Sequence, residues 1–214
     1  GHINAFTGKE ATGYYVTVLS EKIERAVDVL ADIFLNSTIS SEELKKEKNV
    51  VIEEIRMYED IPEEKVHDVS GESALKGCSL ANSISGSEES VKKITREMLY
   101  NYWQERYTVE NSCIAVAGNF SEEYLMEMLN SSFEKCPKSI KEREYKKEYK
   151  INSFTKIIKK DTNQVHLCMN TLGLSKGEKK RYGVSILSST LGGNMSSRLF
   201  QKIREERGLA YSVY

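Results

Sequence analysis

Residues 137–150, PKSIKEREYKKEYK, are charged or polar almost throughout and offer no apolar face at helical or strand spacing. A stretch of that kind has nothing to bury, so it reads as a linker between two bodies rather than as part of one core. The length of 214 residues agrees, being above the usual size of a single domain. This places a first domain at 1–137, a linker at 138–151 and a second domain at 152–214. Neither outer end reads as a domain boundary. The chain opens on GHINAFTGKEATGYYVTVL, a strand, turn and strand without an initiator Met, and closes on the strand-like LAYSVY.

The first domain shows helical periodicity. Ile23, Ala26, Val27, Leu30, Ile33 and Phe34 recur at three- and four-residue intervals and predict a helix over 21–35. Ser40 with Glu43 three residues on forms a capping box that opens a second helix, running to about Tyr58. On a helical wheel Leu44, Val51, Ile55 and Tyr58 share a stripe, Glu47 and Glu54 fall within its arc, and Glu53 points the opposite way. Further helices are expected after Pro62, over 96–106, from Glu122 behind the cap Ser121, and over 182–191. Strands are expected at 113–117, 156–159, 164–171 and 209–214, with Val165, Leu167 and Met169 alternating in the third. The fold class is therefore α+β.

Composition removes several classes of function. Lys+Arg 31 against Asp+Glu 32 gives a net charge of −1 with no basic block, which argues against nucleic acid as a partner. No apolar run approaches the roughly eighteen residues of a membrane span, so no membrane partner is expected. Cys78, Cys113, Cys136 and Cys168 are widely spaced without a C-x-x-C pair and read as reduced thiols. On that basis the expected location is the cytoplasm.

Two places carry candidate chemistry. Glu47 and Glu54 lie seven residues apart on a stripe expected to face the core, and burying an unpaired carboxylate is costly. Either a bound cation compensates them or they sit at the stripe's edge beside Lys or Arg. Near the end, Asn194 can cap a helix bearing Leu199, Phe200 and Ile203, and Gly208 can stop it. One tight turn then brings Arg204 and Tyr211 close, as two donors suited to peptide carbonyls or to a developing oxyanion. Taken alone, Arg204 could equally be a solvated surface charge.

The run GG-x-M-S-S-R-L-F…I-R-E-x-R-G-L-A-Y-S-V-Y resembles the second domain of pitrilysin/insulinase-type zinc peptidases, a family that includes the mitochondrial processing peptidases. Three other segments extend the resemblance. The opening N-A-F-T, with Phe6 at the variable place, is similar to the family's G-G-x-x-N-A-x-T strand. E-K-N-V-V-I-E-E-I is similar to its E-x-x-x-x-x-x-E helix. YTVENSCIAVAGNF is similar to its Y-x-P-x-N…G-N strand, with Val109 where Pro is usual.

The resemblance implies two related domains of mostly antiparallel sheet covered by helices, both truncated here. It implies Glu54 as a zinc ligand and Glu47 as the supporting carboxylate. Asn4, Ala5 and Phe6 would belong to an edge strand that pairs with substrate, and Arg204 and Tyr211 would grip the peptide from the second domain. The family's H-x-x-E-H motif, which holds the other ligands and the general base, would precede Gly1. His2, His67 and His166 are too far apart to form it, so a site of three protein ligands does not close within these residues.

The resulting expectation is a piece of a zinc-dependent endopeptidase acting on extended peptides, inactive as the isolated segment. Zn2+ is expected in the parent protein. The expected partners are peptide substrate and either a second copy, as a homo-dimer, or a second family half. Two alternatives stand beside it: a non-catalytic family member serving as partner subunit or peptide-binding chamber, and a scaffold without a peptide cleft.

Overall fold

The computed structural model describes residues 1–138 and 153–214. Most of the proposed linker therefore lies outside the described residues. By their contacts the residues separate into two compact units, Gly1–Cys168 and Met169–Tyr214.

The first unit opens with an antiparallel hairpin of β1 (His2–Thr7) and β2 (Thr12–Thr17), in the register Asn4↔Tyr15 and Phe6↔Gly13. Gly13 is needed here because the Phe6 ring lies across it: an added Cβ would meet the ring edge at 2.3 Å. Five long helices follow, α1 (Ile23–Leu35), α2 (Ser41–Asp60), α3 (Pro62–Ala74), α5 (Arg96–Arg106) and α6 (Glu122–Phe133), with the short α4 (Glu88–Lys93) between α3 and α5. The caps are those the sequence suggests. Ser40, Thr95 and Ser121 each accept a backbone N–H three residues on, and Pro62 occupies the first turn of α3.

Packing is built from small apolar clusters. Ile52 and Ile55 of α2 bury against Val91 of α4, with Val51 half-buried beside them. Arg56 reinforces that contact by donating from Nε and Nη2 to the two Glu88 oxygens at 2.8 and 3.3 Å. Those hydrogen bonds, with help from Lys92, hold the Glu88 carboxyl down to about 2. Ala26, Val27 and Ala31 of α1 and Leu125 of α6 are buried where α1 meets α6. The hairpin is tied to the helices through aromatic groups. Tyr14 and Tyr107 share a hydroxyl hydrogen bond of 2.8 Å, the Tyr107 ring stacks 5.0 Å from Phe34, and Trp103 Nε1 donates to the Phe34 carbonyl.

The corner before α2 holds an unusual backbone. Ile39, β-branched, has φ of +43°, and Arg96 donates to the carbonyls of both Thr38 and Ile39 at 3.3 and 2.8 Å. At the other end of α2, Lys160 donates to the Glu59 carbonyl at 2.7 Å and pairs with Asp60, a cation where the helix carries its negative pole.

In the second unit α7 (Arg181–Gly192) leads through a turn, where Asn194 Oδ1 accepts from Ser196 N–H, into a π-helical turn at Phe200–Glu205. Gly208, at φ +59°, ends that turn. The chain then returns so closely to α7 that a Cβ on Gly192 would lie 2.7 Å from the Tyr214 carbonyl carbon.

The sheet is smaller than the sequence suggests. Among the described residues it has only β1 and β2, and the segments expected as strands at 113–117, 156–159, 164–171 and 209–214 form no ladder. Alternation specifies which side a residue takes, but a strand exists only where a second strand supplies its hydrogen bonds. Val165 is 96% exposed and Leu167 and Met169 are little less so. The architecture is thus a mixed one, helices with a small antiparallel sheet, in place of two mostly antiparallel sheets.

Candidate functional site

Seven carboxylates lie along α2. Five are in ion pairs: Glu42 and Glu43 with Lys46, Glu53 with Arg56, Glu59 with Lys65, and Asp60 with Lys160. Glu47 and Glu54 are the two with no ion pair or hydrogen bond among the described residues. Both are exposed, which corrects their expected place against the core. The expected stripe includes Tyr58, which is 36% exposed, whereas the buried residues are Ile52 and Ile55. That turns the apolar stripe away from the two glutamates.

Val50 and Met57 share the side of α2 that carries Glu47 and Glu54, and they are 60% and 50% exposed. Two acids without partners among the described residues, seven residues and so about two turns apart, thus stand exposed with their oxygens free to accept.

Zinc requires three protein ligands and an open position in a catalytic site. Among the described residues no group of three or more His, Cys, Asp or Glu is placed to hold a metal ion. His2 is exposed on β1, and His67 on α3 lies with Nδ1 3.7 Å from Cys168 Sγ. Glu54 and Glu47 fit the oxygen side of a zinc site, and the described residues do not complete it.

Asn4, Ala5 and Phe6 sit together on β1, exposed, as a hairpin strand that pairs only with β2 among the described residues. Asn4 Oδ1 accepts from Ala5 N–H at 2.8 Å, and Phe6 leans on Tyr15 with ring centroids 6.5 Å apart. No hydrogen bond or ion pair among the described residues joins these three to Glu47 or Glu54.

In the second unit the turn at Gly208 does bring Arg204 and Tyr211 together, with the guanidinium carbon 5.3 Å from the Tyr211 ring centroid. The same carbon is 4.7 Å from the centroid of Phe200. Phe200 was not singled out by the sequence reading as a partner of Arg204. Its signal was present as an aromatic four residues before an arginine on one helical face.

The helix-rich α+β chain thus carries spare carboxylates on one helix and a paired arginine and tyrosine in a second unit. The family model described as Insulinase (Peptidase family M16) matches residues 1–88, and that described as Peptidase M16 inactive domain matches 93–214. The chain belongs to the insulinase family of peptidases, M16.

An uncharacterized zinc protease of Bacillus subtilis, YmxG, is 44% identical over 216 residues, covering 100% of this chain and 52% of the relative. An uncharacterized zinc protease of Mycobacterium leprae is 36% identical over 220 residues, covering 100% of this chain and 49% of its own. The crystal structure of a protease from Helicobacter pylori superposes with a TM-score of 0.79 at 18% identity, over 99% of this chain and 52% of that one. At that identity the likeness is one of fold. The chain spans about half the length of the curated relatives it matches.

Proposed function

We propose that this chain is part of a zinc-dependent endopeptidase that hydrolyses peptide bonds in extended peptides, and that the segment is inactive by itself. The observation that carries this reading is the pair Glu47 and Glu54, left without partners on a helix whose other five acids are all paired. The names of the relatives as zinc proteases support it.

In this reading Glu54 supplies one oxygen ligand, and Glu47 adds negative charge two turns away that keeps the ligand set basic. Zinc, when bound, supplies a polarised water at neutral pH. The general base is assigned to none of the described residues. The backbone of β1 at Asn4, Ala5 and Phe6 receives the substrate as an added strand, which gives affinity without demanding a particular sequence. Arg204 and Tyr211 donate to substrate carbonyls from the half matched by the inactive-domain model, a role that needs no metal there. A second family half, on the same polypeptide or in a homo-dimer, completes the chamber.

The test is made in the complete polypeptide. Glu54→Gln is expected to lose bound zinc on metal analysis and to lose chelator-sensitive peptide cleavage, while Glu47→Gln retains the fold and loses roughly 10- to 100-fold in activity or zinc affinity. Full zinc content and undiminished cleavage in Glu54→Gln would overturn the reading.

A further inference from the structure

Arg204 contacts two unequal aromatic partners. Tyr211 is 80% exposed, whereas Phe200 is only 9% exposed and is the buried aromatic of the π-helical turn. Of the two rings that face the guanidinium, at 4.7 Å for Phe200 and 5.3 Å for Tyr211, only the first is fixed by packing. The widened turn sets this geometry. Glu206 N–H bonds to the Gln201 carbonyl five residues back, and Leu209 N–H to the Ile203 carbonyl six back. A turn widened in this way is uncommon in helices and recurs at functional positions.

A guanidinium is flat and donates only around its rim. A ring against its face leaves the rim free while restraining the side chain. Its neighbour Glu205 lies 3.9 Å from Nε, at the limit of an ion pair and too far for a strong hydrogen bond, so it competes weakly for those donors.

We infer that Phe200 is the positioning residue for Arg204: its buried ring is the floor that keeps the guanidinium edge-on to a peptide carbonyl or carboxylate. The inference rests on the reading above, in which Arg204 grips substrate. It assigns Phe200 no contact with the reacting atoms. A cation–π contact of this kind contributes about 0.5–2 kcal/mol, or roughly a 2- to 30-fold change in an affinity.

The experiment uses the complete polypeptide depleted of zinc, so that peptide binding is read without turnover. The probe is an extended fluorescent peptide, and the variants are Phe200→Leu, Phe200→Tyr, Arg204→Ala and the double variant Phe200→Leu with Arg204→Ala. Phe200→Leu is expected to weaken peptide Kd about 2- to 30-fold, Phe200→Tyr to restore it, and Phe200→Leu to add nothing once Arg204 is alanine. In NMR of the arginine Nε–H groups, the ring-shifted Arg204 signal is expected to move to an ordinary position in Phe200→Leu and to stay in Phe200→Tyr. Since Leu keeps the site apolar, thermal melts identify any general loss of fold.

An unchanged Kd in Phe200→Leu, an unchanged Arg204 signal, or equal losses with and without Arg204 would each overturn the inference. Failure of the peptidase reading looks different: zinc-loaded protein then binds the peptide and does not cleave it.

Discussion

The unpaired glutamates of α2 make no contact whose loss would register in folding, and this separates them from their neighbours. Glu47→Ala and Glu54→Ala, each made in this chain, are expected to change unfolding free energy by no more than about 0.5 kcal/mol in urea titrations. A residue kept for packing would cost more, as Ile55→Ala should, at about 2–4 kcal/mol. A loss above 1 kcal/mol for either glutamate would mean that it serves the fold after all. Part of this site was legible in the residues. The closeness of Arg204 and Tyr211 follows from a helix stop and one turn, both local. The outward aspect of Glu47 and Glu54 was not legible, because the wheel ranks Tyr58 with the buried residues and only packing shows that Ile52 and Val91 set the direction.

At the scale of elements, the docking of α4 on α2 carries a pH dependence whose sign is fixed by Glu88. Its carboxyl lies near 2 in the folded chain against an ordinary 4.5, chiefly through the Arg56 hydrogen bonds. A depressed carboxyl stabilises above its unfolded value, so this contribution is complete above about pH 4.5 and is lost as pH falls toward 2. Amide exchange across α4 is expected to rise in that window in the wild type and to be already raised at neutral pH in Glu88→Gln. A profile that is the same in both would refute the assignment. Because the pair is solvent-facing, added salt should shrink the effect.

The helices themselves were readable, since 3.6-residue periodicity and the caps Ser40, Thr95 and Ser121 are local signals. Only the hairpin β1–β2 was readable as sheet, its two strands being joined by a short turn. For the segment around Val165 the alternation was real and the partner strand was not written in the segment itself.

For the whole molecule, the chain's extent relative to its family makes a stronger demand. It spans about half of its curated relatives, and the described residues hold no three-ligand metal group. The 214-residue chain is therefore expected to show no chelator-sensitive cleavage of a fluorogenic extended peptide, whereas the complete polypeptide does. Turnover by the chain alone that chelator abolishes and zinc restores would show that these residues form a centre unaided. No described helix is long and apolar enough to cross a membrane.

The return of the chain onto Gly192 ties two distant positions into one lever. There is no space for even a methyl group between α7 and the backbone of Tyr214. Alanine at 192 would act as a wedge, prying the tail outward and carrying Tyr211 with it. The grip on Arg204 would then open on its exposed side while the Phe200 floor stayed in place, so that a change nearly twenty residues away in sequence would be felt as half of a clamp.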